Sequence, residues 1–130
     1  MYIKIYASVL VILLLLFGEA SFAKNTLIYV GQDQPKFTIT LDSNRTTGYA
    51  WVLKKYDDSL LSLISHQYIP PSSTKIGAPG YEEWIFQARP SFFQGSKTAI
   101  VSLDYARPWE HKSVKTIVYK IVSRKKSHVR

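Results

Sequence analysis

Apolar side chains recur at every second position through most of this chain, and a period of two commits it to β-strands. Phe37, Ile39 and Leu41 alternate with Lys36, Thr38, Thr40 and Asp42. Ala99, Val101, Leu103 and Tyr105 alternate with Thr98, Ser102 and Asp104, and Ile117, Tyr119 and Ile121 alternate with Thr116 and Lys120. Shorter or less regular runs add four more. The expected strands, in chain order, are β1 (Leu27–Val30), β2 (Lys36–Asp42), β3 (Tyr49–Tyr56), β4 (Ile64–Ile69), β5 (Tyr81–Ala88), β6 (Thr98–Tyr105) and β7 (Thr116–Ile121). One stretch reads differently: Asp57-Asp58-Ser59 followed by Leu60, Leu63 and Ile64 has the pattern of a capped helical turn. Seven short strands with turn residues between them and no long helical pattern predict an all-β, immunoglobulin-like, seven-stranded β-sandwich.

The chain contains no cysteine. That excludes a disulfide scaffold, a thiolate zinc site and a cysteine nucleophile, so packing alone must hold the sandwich together. Trp51, Trp84, Phe37, Phe86 and Tyr105, with the Ile, Val and Leu set, are the expected core.

Residues 1–23 are a separate segment. Lys4 opens a short basic region, Val9 to Phe17 is an unbroken apolar run, and Ser21-Phe22-Ala23 places small residues where a signal peptidase needs them. The run ends at Gly18-Glu19, short of the roughly 20 apolar residues of a membrane-spanning helix. A cleaved signal peptide is therefore expected rather than a stable membrane anchor, with export to the periplasm or the exterior. Removing 23 residues from 130 leaves 107. They divide into one domain over 24–123 and a basic tail over 124–130. A single modest core fits that length.

Formal net charge is +8, from 17 Lys and Arg against 9 Asp and Glu, which by itself would suggest nucleic acid or an anionic membrane as partner. Its location argues otherwise. The last eleven residues, Lys120 to Arg130, hold five basic residues and no acid, leaving the rest of the exported chain near balance at +3. No aromatic residues interleave with that cluster and no recognition motif accompanies it, so no nucleic-acid partner is expected.

If each strand runs antiparallel to the one before, the β2–β3, β4–β5 and β6–β7 connections emerge at one end. These three are the unusual loops: Asp42-Ser43-Asn44-Arg45-Thr46-Thr47-Gly48, then Pro70 to Gly80 ending in Gly77-Ala78-Pro79-Gly80, then Arg107-Pro108-Trp109-Glu110-His111-Lys112. Trp109 follows a proline in a charged loop, outside the alternation that buries its neighbours. It either covers the sandwich end or waits for a partner. Rigid loops presenting an aromatic and an arginine favour the partner.

The residues Asn44-Arg45-Thr46-Thr47-Gly48-Tyr49, Gly77-Ala78-Pro79-Gly80 and Arg107-Pro108-Trp109 together resemble the chagasin-type inhibitors of papain-like cysteine proteases. That family's pattern is N-P-T-T-G-Y/F, a G-x-x-G-type loop and R-P-W/F. The resemblance spans the chain from the first strand to Val122. It implies a non-enzymatic domain, monomeric and without cofactor, that inserts three loops as a reversible, non-covalent wedge into the cleft of a papain-like protease. Thr46, Thr47 and Gly48 would fill the cleft centre beside the catalytic cysteine. Gly77 to Gly80 would press on one flank and Arg107, Pro108 and Trp109 on the other. Asn44, Arg45 and Tyr49 complete the implied contact set.

One position departs from the pattern. Arg45 stands where the family usually has proline, and losing that φ restraint costs about 0.4–1 kcal/mol of preorganisation, about two- to fivefold in affinity, unless a contact from Arg45 offsets it. The change also makes Asn44-Arg45-Thr46 a glycosylation acceptor. A glycan there would obstruct the wedge.

Two other readings compete. An exported sandwich could bind a carbohydrate or a surface protein through the same loops. A hydrolase could use Asp104, His111 and nearby serines, but no nucleophile elbow or H-E-x-x-H pair is present, and His66, His111 and His128 lack metal-ligand spacing. His66 and His128 read as ordinary surface residues. Glu82-Glu83 reads as bland, since neighbouring strand residues face opposite ways.

Overall fold

The structure, a computed structural model, describes residues 24–124. The expected signal peptide (1–23) and the tail beyond Arg124 lie outside the described residues. Seven strands form two sheets. They are β1 (Lys24–Val30), β2 (Lys36–Ser43), β3 (Ala50–Tyr56), β4 (Leu61–Ile69), β5 (Gly80–Ala88), β6 (Thr98–Ala106) and β7 (Ser113–Ser123). One sheet has the order β1-β7-β6-β3 and the other β2-β5-β4. The expected all-β sandwich and its seven strands are therefore present, and the alternation of direction from strand to strand holds. All pairs are antiparallel except β1 with β7, which run parallel.

Period two explains the two faces. Along β5, Gly80, Glu82, Trp84, Phe86 and Ala88 are buried while the residues between them are more open. Val101 and Leu103 of β6 and Ile117, Tyr119 and Ile121 of β7 face them across the sandwich, all buried. The expected aromatic core is present, with Trp51, Trp84 and Phe86 fully enclosed and Phe37 and Tyr105 at its margin.

Three register shifts interrupt the ladders, one between the inner strands β6 and β7 at Tyr105/Ala106 and two in edge strands. β3 shifts register between Leu53 and Lys55, and β4 between Leu63 and Ser65. A bulge adds one residue and reverses the facing of everything beyond it. Leu61 and Leu63 pair opposite the buried Ala88 and Phe86, and beyond the bulge His66 and Tyr68 pair opposite the buried Trp84 and Glu82.

The helical turn expected over Asp57 to Ile64 is cut short. The Leu60 and Leu61 amides do donate to the Asp57 carbonyl, at 3.1 and 2.9 Å. Leu61 is already the first residue of β4, so Leu63 and Ile64 belong to a strand. Pairing with β5 satisfies the β4 backbone groups that face it along one continuous ladder, which one isolated helical turn cannot do.

At this far end of the sandwich a 3-10 turn over Pro90–Phe93 inserts Phe92, which is fully buried. Arg89 holds the turn by donating from Nε to the Asp58 carbonyl at 2.8 Å.

Candidate functional site

The β2–β3 loop folds on its own hydrogen bonds. Asn44 caps a three-residue 3-10 turn, Arg45–Thr47, and its Oδ1 accepts from the Thr46 amide at 3.2 Å and the Thr46 hydroxyl at 2.6 Å. The Thr47 hydroxyl donates to the Asn44 carbonyl at 2.7 Å. Gly48 ends the turn with φ of 82°, a left-handed conformation that favours glycine. It has a second reason to be glycine. A β-carbon there would lie 2.6 Å from Cη2 of Trp109.

Trp109 therefore rests against the first loop without being covered by it, and 68% of its surface remains exposed. Arg107 makes the same junction with polar groups: Nε donates to the Thr47 carbonyl at 3.2 Å and the guanidinium lies 4.3 Å above the Tyr49 ring. Glu110 braces Arg107 from within its own loop at 3.2 Å. Tyr49 stacks on Tyr105, which also contacts Trp51 and whose hydroxyl accepts from the Asn44 amide at 3.4 Å. Pro108 and Trp109 project from this aromatic base into solvent.

The β4–β5 loop joins more loosely. Asn44 Nδ2 donates to the Gly77 carbonyl at 3.3 Å, and Gly80 packs so closely on Tyr68 that a β-carbon would lie 2.7 Å from the tyrosine hydroxyl and collide with the Ile69 carbonyl. Between these points Ala78 is half-buried and Pro79 is exposed. The thirteen residues expected in the site, Asn44 to Tyr49, Gly77 to Gly80 and Arg107 to Trp109, thus gather at one end of the sandwich.

Beneath them sits a group that the residue pattern did not assign. Glu82 is fully buried, and its Oε2 accepts from the Ser43 hydroxyl at 2.7 Å and from the Trp51 amide at 2.8 Å. Its Oε1 lies 2.9 Å from His66 Nε2 and 3.7 Å from Arg45 Nη2. His66 is at the surface as expected, but it is engaged there: its ring stacks on the buried Trp84 at 3.5 Å. Glu82-Glu83 is not bland. The two carboxylates do face opposite ways, with Glu83 outward against Gln67 at 3.1 Å, and for that reason the other one enters the core. The available signal was phase, since Glu82 shares the alternation of Trp84, Phe86 and Ala88.

Arg45 is held as well. Its guanidinium lies 4.4 Å above the Tyr68 ring while reaching toward Glu82. These are contacts that a proline at this position would not make. Asp104, considered above with His111, instead accepts from the Thr116 hydroxyl at 2.7 Å and faces Lys54 at 3.7 Å. Among the described residues no group of three or more His, Cys, Asp or Glu could hold a metal ion.

A sandwich without cysteine that ties three loops together at one end, with an arginine braced and a tryptophan left in solvent, is an immunoglobulin-like domain built to present loops. Residues 32–121 match the chagasin family peptidase inhibitor I42, and the chain belongs to that family. It is 33% identical to chagasin of Trypanosoma cruzi over 88 residues, covering 62% of this chain and 76% of that protein. A cysteine protease inhibitor of Entamoeba histolytica superposes with a TM-score of 0.55 at 23% identity, covering 77% of this chain and 97% of that one. Amebosin superposes with a TM-score of 0.53 at 22% identity, over 77% and 88%. At those identities the two structures bear on the fold. The relatives are protease inhibitors rather than enzymes, and so is the family to which this chain belongs.

Proposed function

We propose that this protein is an exported, monomeric inhibitor of papain-like cysteine proteases that blocks the active-site cleft as a reversible wedge of three loops. The observation that carries the reading is the junction of Gly48 with Trp109: an indole 68% exposed lies against a left-handed glycine at the tip of the central loop. Large exposed indoles beside an arginine are typical anchors of tight interfaces.

The chemistry suits a blocked nucleophile. Thr46 and Thr47 lie in a closed 3-10 turn that Gly48 ends, and its carbonyls are not displayed on an extended strand as a protease substrate's are. Occupation of the cleft therefore needs no covalent step. The turn is closed before binding, by Asn44 and Thr47 from within and by Arg107 from the neighbouring loop, so little freedom is lost on association. Gly77 to Gly80 and Arg107 to Trp109 flank it on opposite sides. Asn44 uses its side-chain amide within the site, and an unmodified Asn44 is expected in the intact-protein mass.

The test is direct. Papain activity on a fluorogenic peptide should fall on adding the purified protein, and no inhibition of papain or a cathepsin-type enzyme at micromolar concentration would overturn the reading. Export is tested by sequencing the secreted product, for which Lys24 should be the first residue.

A further inference from the structure

We infer that Glu82 and Arg45 are positioning residues for the β2–β3 loop, with the buried carboxylate fixing both stems of the loop and Arg45 setting the orientation of the turn between them. The effect on inhibition rests on the wedge reading; the effect on loop order does not.

A three-residue 3-10 turn cannot orient itself. Its own closing bonds, Thr47 N to Asn44 O at 3.3 Å and Gly48 N to Arg45 O at 3.1 Å, are local, and such turns are short and weakly bonded. Its direction relative to the sandwich must come from contacts to other elements. On one side these are Arg107 and Tyr105. On the other, Asn44 Nδ2 donates to the Gly77 carbonyl and the remaining contacts converge on Glu82.

The two carboxylate oxygens divide the task. Oε2 takes one donor from Ser43, the last residue of β2, and one from Trp51, at the start of β3, so a single atom holds both ends of the chain segment that forms the loop. Oε1 faces His66 on β4 and Arg45 in the turn. An apolar side chain would continue the buried face of β5 with less desolvation cost, since an ion taken out of water is recovered only through good partners. What an apolar side chain cannot do is gather directional donors from β2, β3, β4 and the loop.

Arg45 is the movable member. Nearly half its side chain is exposed, yet its guanidinium lies 4.4 Å above the ring of Tyr68, whose hydroxyl abuts Gly80 at the end of the β4–β5 loop. Arg45 thereby links the turn to the carboxylate and to the neighbouring loop at once.

Backbone ¹⁵N relaxation on the free protein tests this without any protease. In Arg45→Ala the order parameters of Thr46, Thr47 and Gly48 should fall from the rigid range of about 0.85 to below about 0.6, while those of β5 and β6 and the thermal midpoint stay put. Glu82→Gln should do the same, and adding Arg45→Ala to it should change little more. Arg45→Ala should also weaken inhibition about tenfold. Unchanged order parameters in Arg45→Ala overturn the inference, and that variant, altered only at the surface, decides it even if Glu82→Gln fails to fold. An unaltered protein that does not inhibit papain would instead remove the wedge reading, leaving the relaxation result to stand by itself.

Discussion

The two ends of the sandwich place polar and apolar groups in opposite ways. At the far end Phe92 is fully buried, and charged groups such as Arg89, Asp57 and Asp33 remain at the surface and tie turns together. At the loop end Trp109 stands 68% exposed while Glu82 is enclosed completely. An end that only closes the core puts its aromatic inside, where burial stabilises most. An end that keeps its aromatic in solvent forgoes that stabilisation, and the enclosed charge costs more still. The loop end is thus shaped for something other than stability, in keeping with the binding role proposed for it.

Removing each end's aromatic should break the comparison most sharply. Phe92→Ala leaves a cavity and should cost about 3–5 kcal/mol, a fall in thermal midpoint of about 15–25 °C, with inhibition intact at temperatures where the protein is folded. Trp109→Ala should do the opposite, losing about 2 kcal/mol or more of binding, roughly thirtyfold in affinity, with the midpoint within a few degrees. Parallel calorimetry and inhibition titrations check both. A large midpoint drop with unchanged inhibition in Trp109→Ala would make the indole a structural lid.

Arg45→Pro sharpens the comparison within the loop end. Asn44 is already extended, with φ of −106° and ψ of 94°, and Arg45 is the first residue of the turn, where proline is well placed. The variant gains a φ restraint of about 0.4–1 kcal/mol and loses the contacts to Glu82 and Tyr68. Inhibition should stay within about fivefold of the unaltered protein; abolition would mean that the turn is misplaced.

The smallest effect belongs to the far end. Arg124 donates to Asp33 at 3.0 Å, and that hydrogen bond holds the Asp33 carboxyl below its ordinary value of 3.8. A carboxyl depressed in the folded state adds stability above its ordinary range and loses it as pH falls through the lower folded value. Arg124→Ala should therefore lower the thermal midpoint slightly at neutral pH, and the difference should vanish in strong acid. Exposure of more than half of both side chains keeps it small.

Much of this was legible along the chain. The period of two gave seven strands, and antiparallel succession then placed the three unusual loops at one end. Helical reading of Leu63 and Ile64 failed because strand pairing with β5 outweighed a local turn signal. Phe92 stood outside the expected core, since nothing nearby in sequence marks the open core end it closes. The thirteen loop residues could be named because their types and spacing are local facts. What held them could not: Glu82 draws its partners from 16 to 39 residues away.

The sequence by itself therefore determined the strands, the absence of any disulfide and the identity of the presented loops, all of which follow from side-chain alternation and composition. The tertiary structure decided which side chains lie beneath those loops. A bulge near Ile64 reverses the facing of β4, and only that reversal turns His66 and Tyr68 toward Glu82. Alternation is a property of one strand, whereas a bulge is a property of two strands paired, and a buried charge is stable only where the whole fold supplies its donors.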